Sequence, residues 1–275
     1  MPTSLEDYLF DLRGYLVLQG AVPPAEVETI NAAIDAIPPL QNGDWWGSVQ
    51  GHSYHSEIDG RNLQNIVEGG PAFEALIDHP GWIDYVRRYV GRNEGLFIDE
   101  CFVTLRGPSE FINIHSGGHL NRTRLRYFYN EGQWHCGQIN ILLALTDILE
   151  MPDGPTVVIP GSHKSQLVHP IFEKGYMNML ADPPETVDGA VPVFLKAGDA
   201  VLFVDSICHG GASRIKPGLR RTLVYRYGPA WGSTRLGYQY SDALIARLTP
   251  ERAKILQPVP HRKPPAETRE DQQGI

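Results

Sequence analysis

The order of apolar and polar residues divides the chain into a helical first third and a β-rich remainder. Helical spacing of apolar residues predicts helices over residues 5–12, from Pro23-Pro24 onward, over 72–77 and over 82–90. The run GYLVLQG (14–20) predicts a strand between the first two helices. Residues 40–62 are polar, Gly-rich and aromatic, which predicts a loop.

From about Gly95 the apolar residues occur in short β-rich runs. These are LFIDECFVTL, EFINIH, LRYFYN, QINILLAL, PTVVIP, VPVFL, DAVLFVD and RTLVYRY. Turn residues such as Gly107-Pro108 and Gly198-Asp199 separate several of them. Eight short strands with this punctuation predict a sandwich or barrel, for which the jelly roll is one solution.

Length and composition fit one globular domain. The chain has 275 residues, 42% hydrophobic and 20% charged, with no repeat and no long Gly/Ser linker. We expect a single domain over 1–256, helical over 1–94 and with its β core over 95–230. The remainder, 257–275, is a polar, Pro-rich tail that we expect to be extended or disordered.

Charge and cysteine usage exclude several functional classes. The net charge of −8 argues against nucleic-acid binding through the overall field, although a local basic patch stays open. The three cysteines are far apart, which excludes a disulfide framework or Cys-rich zinc site and fits a reducing compartment. Acids interrupt the first apolar stretch, and no apolar run approaches 18 residues. The sequence therefore predicts a cytoplasmic protein without membrane contact, and it leaves the oligomeric state open.

Two histidines and an arginine stand at the edges of β-runs. His115 ends EFINIH, His209 follows DAVLFVDSIC, and Arg220 opens RTLVYRY eleven residues later. Two imidazoles at the ends of neighbouring strands are able to share one divalent ion. A buried guanidinium would match a carboxylate bidentately. On spacing alone this is weak, because two His and an Arg are common in β-domains.

The surrounding segments resemble the phytanoyl-CoA dioxygenase family. The resemblance lies in QINILLALTDILEMPDGPTVVIPGSHKS (138–165), LKAGDAVLFVDSICHGG (195–211) and PGLRRTLVYRYGP (217–229), and the opening GYLVLQGAVPPAEVETINAAID also fits. It covers most of residues 10–230. It implies a mainly β fold with flanking helices, in which a double-stranded β-helix (a jelly-roll, cupin-like core) holds Fe(II) and 2-oxoglutarate and uses O2 as a cosubstrate.

Carried over residue by residue, the resemblance assigns the cofactor ligands. His115 matches the first iron-binding His, His209 the second, and Arg220 the Arg that grips the distal carboxylate of 2-oxoglutarate. Arg221 is the alternative, since a slip of one residue in a strand reverses the face. One strand face carries Gln138 and Asn140, which are candidates for a hydrogen bond to 2-oxoglutarate or for a structural role inside the barrel.

The usual family motif is His-x-Asp, but here Gly117 stands two residues after His115. The facial triad supplies two imidazoles and one carboxylate, so a glycine leaves one position open and removes one negative charge. A chloride ion would make good both losses. Related oxygenases with His-x-Gly or His-x-Ala are halogenases, so the resemblance implies C–H chlorination, with Gly117 as a functional vacancy.

Other interpretations stay open. A carboxylate from elsewhere, such as Asp205 or Glu110, would restore the triad, and water in the open position would leave a hydroxylase. A third reading is a β-helix binding module without iron. No GxSxG elbow, GxGxxG or P-loop supports another enzyme class.

Other histidines compete for the same roles. The literal His55-Ser56-Glu57 lies in a polar stretch before the β-rich region, and His135-Cys136-Gly137 is a second His-x-Gly that rivals His115. Four residues after His115, His119 is a candidate for a substrate contact. His163, in PGSHK, is expected to anchor a turn.

The substrate is the least constrained part. Three arginines alternate in HLNRTRLRYFY, so on a strand Arg122, Arg124 and Arg126 share a face, which is either solvated or an anion clamp. Four aromatic residues are candidates for stacking on a flat ring or for core packing: Trp45, Trp46, Tyr54 and Trp134. Together these permit a small phosphorylated aromatic substrate such as a nucleotide, with a carrier-tethered or free natural product as the competing class.

Overall fold

Two antiparallel β-sheets form the centre of the protein, as seen in a computed structural model that describes residues 1–53, 60–91, 95–115, 127–172, 183–232 and 237–257. The strands are β1 (Tyr15–Leu18), β2 (Trp45–Trp46), β3 (Val49–His52), β4 (Arg61–Gln64), β5 (Phe97–Arg106), β6 (Ile112–His115), β7 (Tyr129–Asn130), β8 (Gln133–Trp134), β9 (Ile139–Ala144), β10 (Thr156–Ile159), β11 (Val191–Val193), β12 (Ala200–Val204), β13 (Cys208–Gly211) and β14 (Arg220–Gly228). Strands β7 and β8 form a separate small hairpin.

The strand order is that of a jelly roll. The major sheet runs β1-β12-β9-β14-β5-β4-β3-β2, and the minor sheet runs β11-β10-β13-β6. Chain neighbours such as β9 and β10 lie in different sheets, so the chain passes repeatedly from one sheet to the other. The expectation of a mainly β protein with a double-stranded β-helix core and flanking helices is confirmed.

The helices cover the outer face of the major sheet. They are α1 (Ser4–Arg13), α2 (Pro24–Asp35), α3 (Pro71–Glu74), α4 (Ile83–Val90), α5 (Asp242–Arg247) and α6 (Pro250–Leu256). Apolar residues at helical spacing, among them Val27, Ile30 and Ile34 of α2, pack with outward-facing Leu143 and Leu223 in one large core. The inner face, which looks toward the minor sheet, is therefore left for other side chains.

The first 94 residues are less helical than their sequence indicates. The stretch 40–62, expected as a loop, contains β2, β3 and the start of β4, and with β1 these extend the major sheet at both edges. Periodicity missed β3 because its buried positions are Val49 and Gly51, and glycine carries no apolar signal. Gly51 is required by packing, since a Cβ there would lie 2.3 Å from the Gln41 carbonyl oxygen.

His209 lies in a strand of its own. The sequence places it after the DAVLFVD strand, but residues 205–207 turn the chain so that Cys208–Gly211 forms β13 in the opposite sheet. The two glycines of CHGG hid this strand from a propensity reading. Likewise, only Tyr129–Asn130 of the expected LRYFYN strand is assigned to β7, and residues 125–126 lie outside the described part.

Within the described part of the chain, no helix combines the length and apolar character needed to cross a bilayer. Cys101, Cys136 and Cys208 are all buried.

His163 fixes the N-terminal helix to the core rather than only a local turn. Its Nε2 lies 3.1 Å from the Asp11 carbonyl oxygen, and its ring packs edge-on against Tyr127. Burial is the main reason that the pKa of His163 falls to about 4. Gly14 ends α1 at φ +83°, directly against this ring.

We expect Gly14→Ala to destabilise the protein by about 2–4 kcal/mol, because strain at positive φ adds to a collision with an immobile ring. The added Cβ would lie 2.5 Å from His163 Nδ1. Denaturant-induced unfolding measures the change. Gly43 is the matched control: its φ is +93° but no atom lies within 4 Å of a Cβ there, so Gly43→Ala should show the strain alone. Equal losses in the two variants would contradict the packing role of His163.

Candidate active site

His115 and His209 face each other on adjacent strands of the minor sheet. They are direct cross-strand partners between β6 and β13, and their ring centroids are 4.2 Å apart. The His209 ring also lies 5.0 Å from that of Phe203 on β12. Because β12 belongs to the major sheet, the pair points into the space between the sheets.

The two imidazoles are oriented in the same way by their own strands. His115 Nδ1 lies 2.9 Å from the Asn113 carbonyl oxygen, and His209 Nδ1 lies 2.8 Å from that of Ile207. A carbonyl oxygen only accepts, so each Nδ1 carries the proton and donates. Each neutral ring then has its lone pair on Nε2, which is the tautomer that a metal ligand needs.

Burial keeps His209 neutral. The side chain is among the buried polar groups, and desolvation together with the adjacent His115 lowers its pKa to about 3. The charge of Asp205 acts on His209 in the opposite direction, and that of Arg226 in the same direction. Asp205, in the turn before β13, and Arg226, on β14, are therefore charged groups that act on this ring.

Arg220 lies buried at one end of the inner face. It donates through Nη1 to the Gly154 carbonyl oxygen, and its Nε has no partner among the described residues. Burial, and then the charges of Arg106 and Arg214, lower its pKa to about 9. A buried guanidinium with a donor to spare, and with no acid among the described residues that act on its pKa, fits an incoming carboxylate.

Arg221 points to the opposite side of the sheet. Its Nη2 lies 2.5 Å from Asp35 Oδ1 and its Nη1 3.2 Å from Asn31 Oδ1, both on α2. The alternative register is thus not the one that the fold adopts, and Arg220 alone of the two faces the interior.

Gln138 and Asn140 lie on the inner face, as their spacing predicts. Gln138 donates to Asp99 Oδ2 over 2.9 Å, and Asn140 donates to Asp205 Oδ1 over 2.8 Å. Both side-chain carbonyl oxygens are buried without a partner in the described residues. Gln138, with Asp99, also lines a cavity of about 160 Å³ where β14 ends, at the far end from Arg220.

Arg226 is a further charged residue of the inner face, and it was not predicted from the sequence. It sits on the same face as Arg220, six residues later, 3.1 Å from Glu100 Oε2 and above the Phe102 ring. Gln64 donates in turn to Glu100 over 2.9 Å. Alternation along the strand, Arg220-x-Thr222-x-Val224-x-Arg226, places Arg226 on the same face as Arg220 and would have predicted its inward position.

No third ligand joins the histidines in the described part of the chain. No group of three His, Cys, Asp or Glu able to hold a metal occurs there. Glu110 is exposed, and Asp205 accepts the Asn140 amide. Residues 116–126, which follow His115 directly, contain no Asp or Glu.

Several predicted site residues lie outside the described part: Gly117, His119, Arg122, Arg124, Arg126 and the His55-Ser56-Glu57 motif with Tyr54. The rival His135 does fall within it. Its ring is near Phe128 beside the β7–β8 hairpin, not against His209. Trp134 packs against Phe10 and Tyr89 as a core residue, whereas Trp45 and Trp46 are exposed.

The sequence matches the family model described as phytanoyl-CoA dioxygenase (PhyH) over residues 10–222. Among curated proteins it is similar to dioxygenase cdmD of Talaromyces verruculosus, at 36% identity over 92 residues, which cover 34% of this chain and 26% of that protein. Dioxygenase aneA of Aspergillus aculeatus is 23% identical over 220 residues, 78% of this chain and 67% of that protein. The first of these matches thus spans about a quarter of the relative's length.

Solved structures share the fold. HygX from Streptomyces hygroscopicus, with nickel and 2-oxoglutarate bound, superposes with a TM-score of 0.69 at 21% identity, covering 88% of this chain and 92% of that chain. The α-ketoglutarate-dependent epimerase SnoN from nogalamycin biosynthesis gives 0.59 at 18% identity, covering 86% of each chain. At these identities the similarity establishes the architecture and no more.

Proposed function

Because the chain belongs to the phytanoyl-CoA dioxygenase family of iron- and 2-oxoglutarate-dependent oxygenases, we propose that it oxidises a C–H bond of a small molecule, and that it does so by chlorination. The main support for a metal site is the facing His115–His209 pair, in which both Nδ1 atoms hydrogen-bond to main-chain carbonyl oxygens. Bound Fe(II), with 2-oxoglutarate and O2, supplies the oxidising power in this class of enzyme.

The chain's own residues fit these groups. His115 and His209 offer two neutral imidazoles to the iron, and Arg220 offers its unpartnered Nε to a carboxylate of 2-oxoglutarate. The apolar cluster formed by Val158, Phe203 and their neighbours lies between the sheets and limits the access of water.

Chlorination is proposed because no group of three metal-binding side chains occurs in the described part of the chain, and the eleven residues after His115 contain no acid. Two imidazoles leave the centre one negative charge and one ligand short of the usual set, and a chloride ion would supply both. Hydroxylation is the second candidate. It is favoured by Asp205, whose charge acts on His209 from the neighbouring turn.

We assign Gln138 and Asn140 to the substrate side, since they lie at the end of the inner face opposite Arg220. This revises the expectation that they contact 2-oxoglutarate. A phosphorylated substrate held by Arg122, Arg124 and Arg126 stays a proposal from the sequence pattern.

Anaerobic titration separates these candidates. We expect Fe(II) and 2-oxoglutarate to produce a charge-transfer absorption band, and chloride to shift it. A band without a chloride response would favour the hydroxylase, and no iron binding would leave a non-enzymatic binding protein. Bromide soaked into crystals would locate the halide by anomalous scattering.

Gly117→Asp is expected to abolish the chloride response, because an added carboxylate would supply the missing ligand and charge. The iron and 2-oxoglutarate band should remain. Gly117→Ala is the matched control, because a methyl group adds bulk without a ligand, and its chloride response should persist. An unchanged response in Gly117→Asp would argue against a vacancy at this position.

A further inference from the structure

A second arginine lies beside Arg220 on the inner face. Arg106 and Arg220 are direct cross-strand partners at the end of the β5–β14 pair, and both side chains are buried, Arg106 completely. Side chains of such partners stand about 5 Å apart at Cβ and point to the same face. The two guanidinium groups therefore enter the interior side by side.

Arg106 also reaches toward the strand that carries His209. A Cβ at Gly211 would lie 3.3 Å from Arg106 Nη1. Gly211 is two residues beyond His209 on β13, so a side chain there would point the same way as His209. The Arg106 guanidinium therefore lies against β13 on the side that carries the His209 ring, and the missing side chain of Gly211 leaves room for it.

Two residues of the following turn help to position Arg106. Its Nε donates to Ser109 Oγ over 2.8 Å, and its Nη2 donates to the Glu110 carbonyl oxygen. Arg220 likewise donates to a carbonyl oxygen, that of Gly154. Like charges repel strongly where water is excluded, and the field of Arg106 acts on Arg220 in that sense. An anion bound between them would turn this repulsion into attraction.

We propose that Arg106 and Arg220 together clamp the distal carboxylate of 2-oxoglutarate, which makes Arg106 a further cofactor-binding residue. This inference rests on the proposed function, because it assumes that 2-oxoglutarate extends from the histidine pair toward Arg220. The Arg106 guanidinium offers the carboxylate further N–H donors from the side of the histidine pair, while Ser109 and Glu110 hold Arg106 in position.

The test compares 2-oxoglutarate with 2-oxopentanoate, which has the same chain length and keto acid but lacks the distal carboxylate. Dissociation constants for both are measured under argon on the Fe(II)-loaded protein, with the melting temperature of the unliganded protein. We expect Arg106→Met to lower the preference for 2-oxoglutarate roughly 10- to 100-fold, the worth of a charged hydrogen bond. The melting temperature of the unliganded variant shows whether the substitution also disturbs the fold.

Arg61→Met is the matched control. Arg61, on β4, pairs with Leu105 of β5, the residue next to Arg106, but its side chain is exposed. Its preference for 2-oxoglutarate should equal that of the wild type. A merely structural Arg106 would give a lower melting temperature with unchanged preference, and that result overturns the clamp. If Arg106→Met does not fold, Arg106→Lys replaces it, because lysine keeps the charge and the aliphatic part of the side chain but lacks the paired N–H donors. An unchanged preference for 2-oxoglutarate in Arg106→Lys would equally overturn the clamp. A wild type that binds no 2-oxoglutarate would instead refute the proposed function.

Discussion

His209→Ala should remove iron binding almost completely. The imidazole is one of only two proposed protein ligands, and its ring centroid lies 4.2 Å from that of the other, His115. Loss of a residue that merely orients a ligand costs 10- to 100-fold in metal affinity, so loss of a ligand should cost more than about 100-fold. Anaerobic Fe(II) titration by calorimetry, or Mn(II) titration by electron paramagnetic resonance, measures the change.

His135→Ala is the control for this result, because His135 belongs to the rival His-x-Gly motif but lies beside Phe128. It should bind iron as the wild type does. If His135→Ala lost the metal and His209→Ala kept it, the iron would have to bind elsewhere. Circular dichroism of both variants distinguishes a lost ligand from a lost fold.

Arg220→Met is the second variant with a large expected effect. The guanidinium is buried, and its Nε has no partner in the described residues, so a bound carboxylate would be its only acidic partner there. Truncating one member of a buried charged pair costs about 2–5 kcal/mol. We therefore expect the dissociation constant for 2-oxoglutarate to rise roughly 30-fold or more, measured by equilibrium titration of the charge-transfer band.

Arg221→Met supplies the comparison at the neighbouring position. Arg221 pairs with Asp35 on the outer side of the sheet, so its loss should weaken the contact to α2 and leave the affinity for 2-oxoglutarate unchanged. A reversed result, with Arg221→Met impaired and Arg220→Met normal, would place the cosubstrate on the wrong face of the strand and refute this site.

Alternation along single strands accounts for what the sequence predicted correctly. Arg220 faces inward and Arg221 outward because successive side chains of a strand point to opposite faces. The inward positions of Gln138 and Asn140 follow in the same way. The meeting of His115 and His209 was predicted from two observations. Both residues stand at the ends of β-runs, and the family resemblance assigns both to the same metal ion.

Pairing between distant strands accounts for what was missed. Arg106 matters because β5 pairs with β14 in a register that sets it against Arg220, and no local pattern encodes that register. Strand β13 was missed for a different reason. Its glycines lower the local strand propensity, whereas the close approach of β6 to Gly210, where a Cβ would lie 2.7 Å from the Ile112 carbonyl oxygen, demands them.

The support of each imidazole by a carbonyl two residues earlier has an evolutionary consequence. Many histidine ligands depend on a separate side chain for their orientation, so altering that side chain disturbs the centre. Here the backbone performs this task, and no mutation of a supporting side chain can remove a main-chain oxygen. Such a histidine pair keeps its orientation when the residue two positions after the first histidine, an Asp in the usual family motif, is substituted. One ancestral scaffold would thereby be able to change from one oxidative reaction to another.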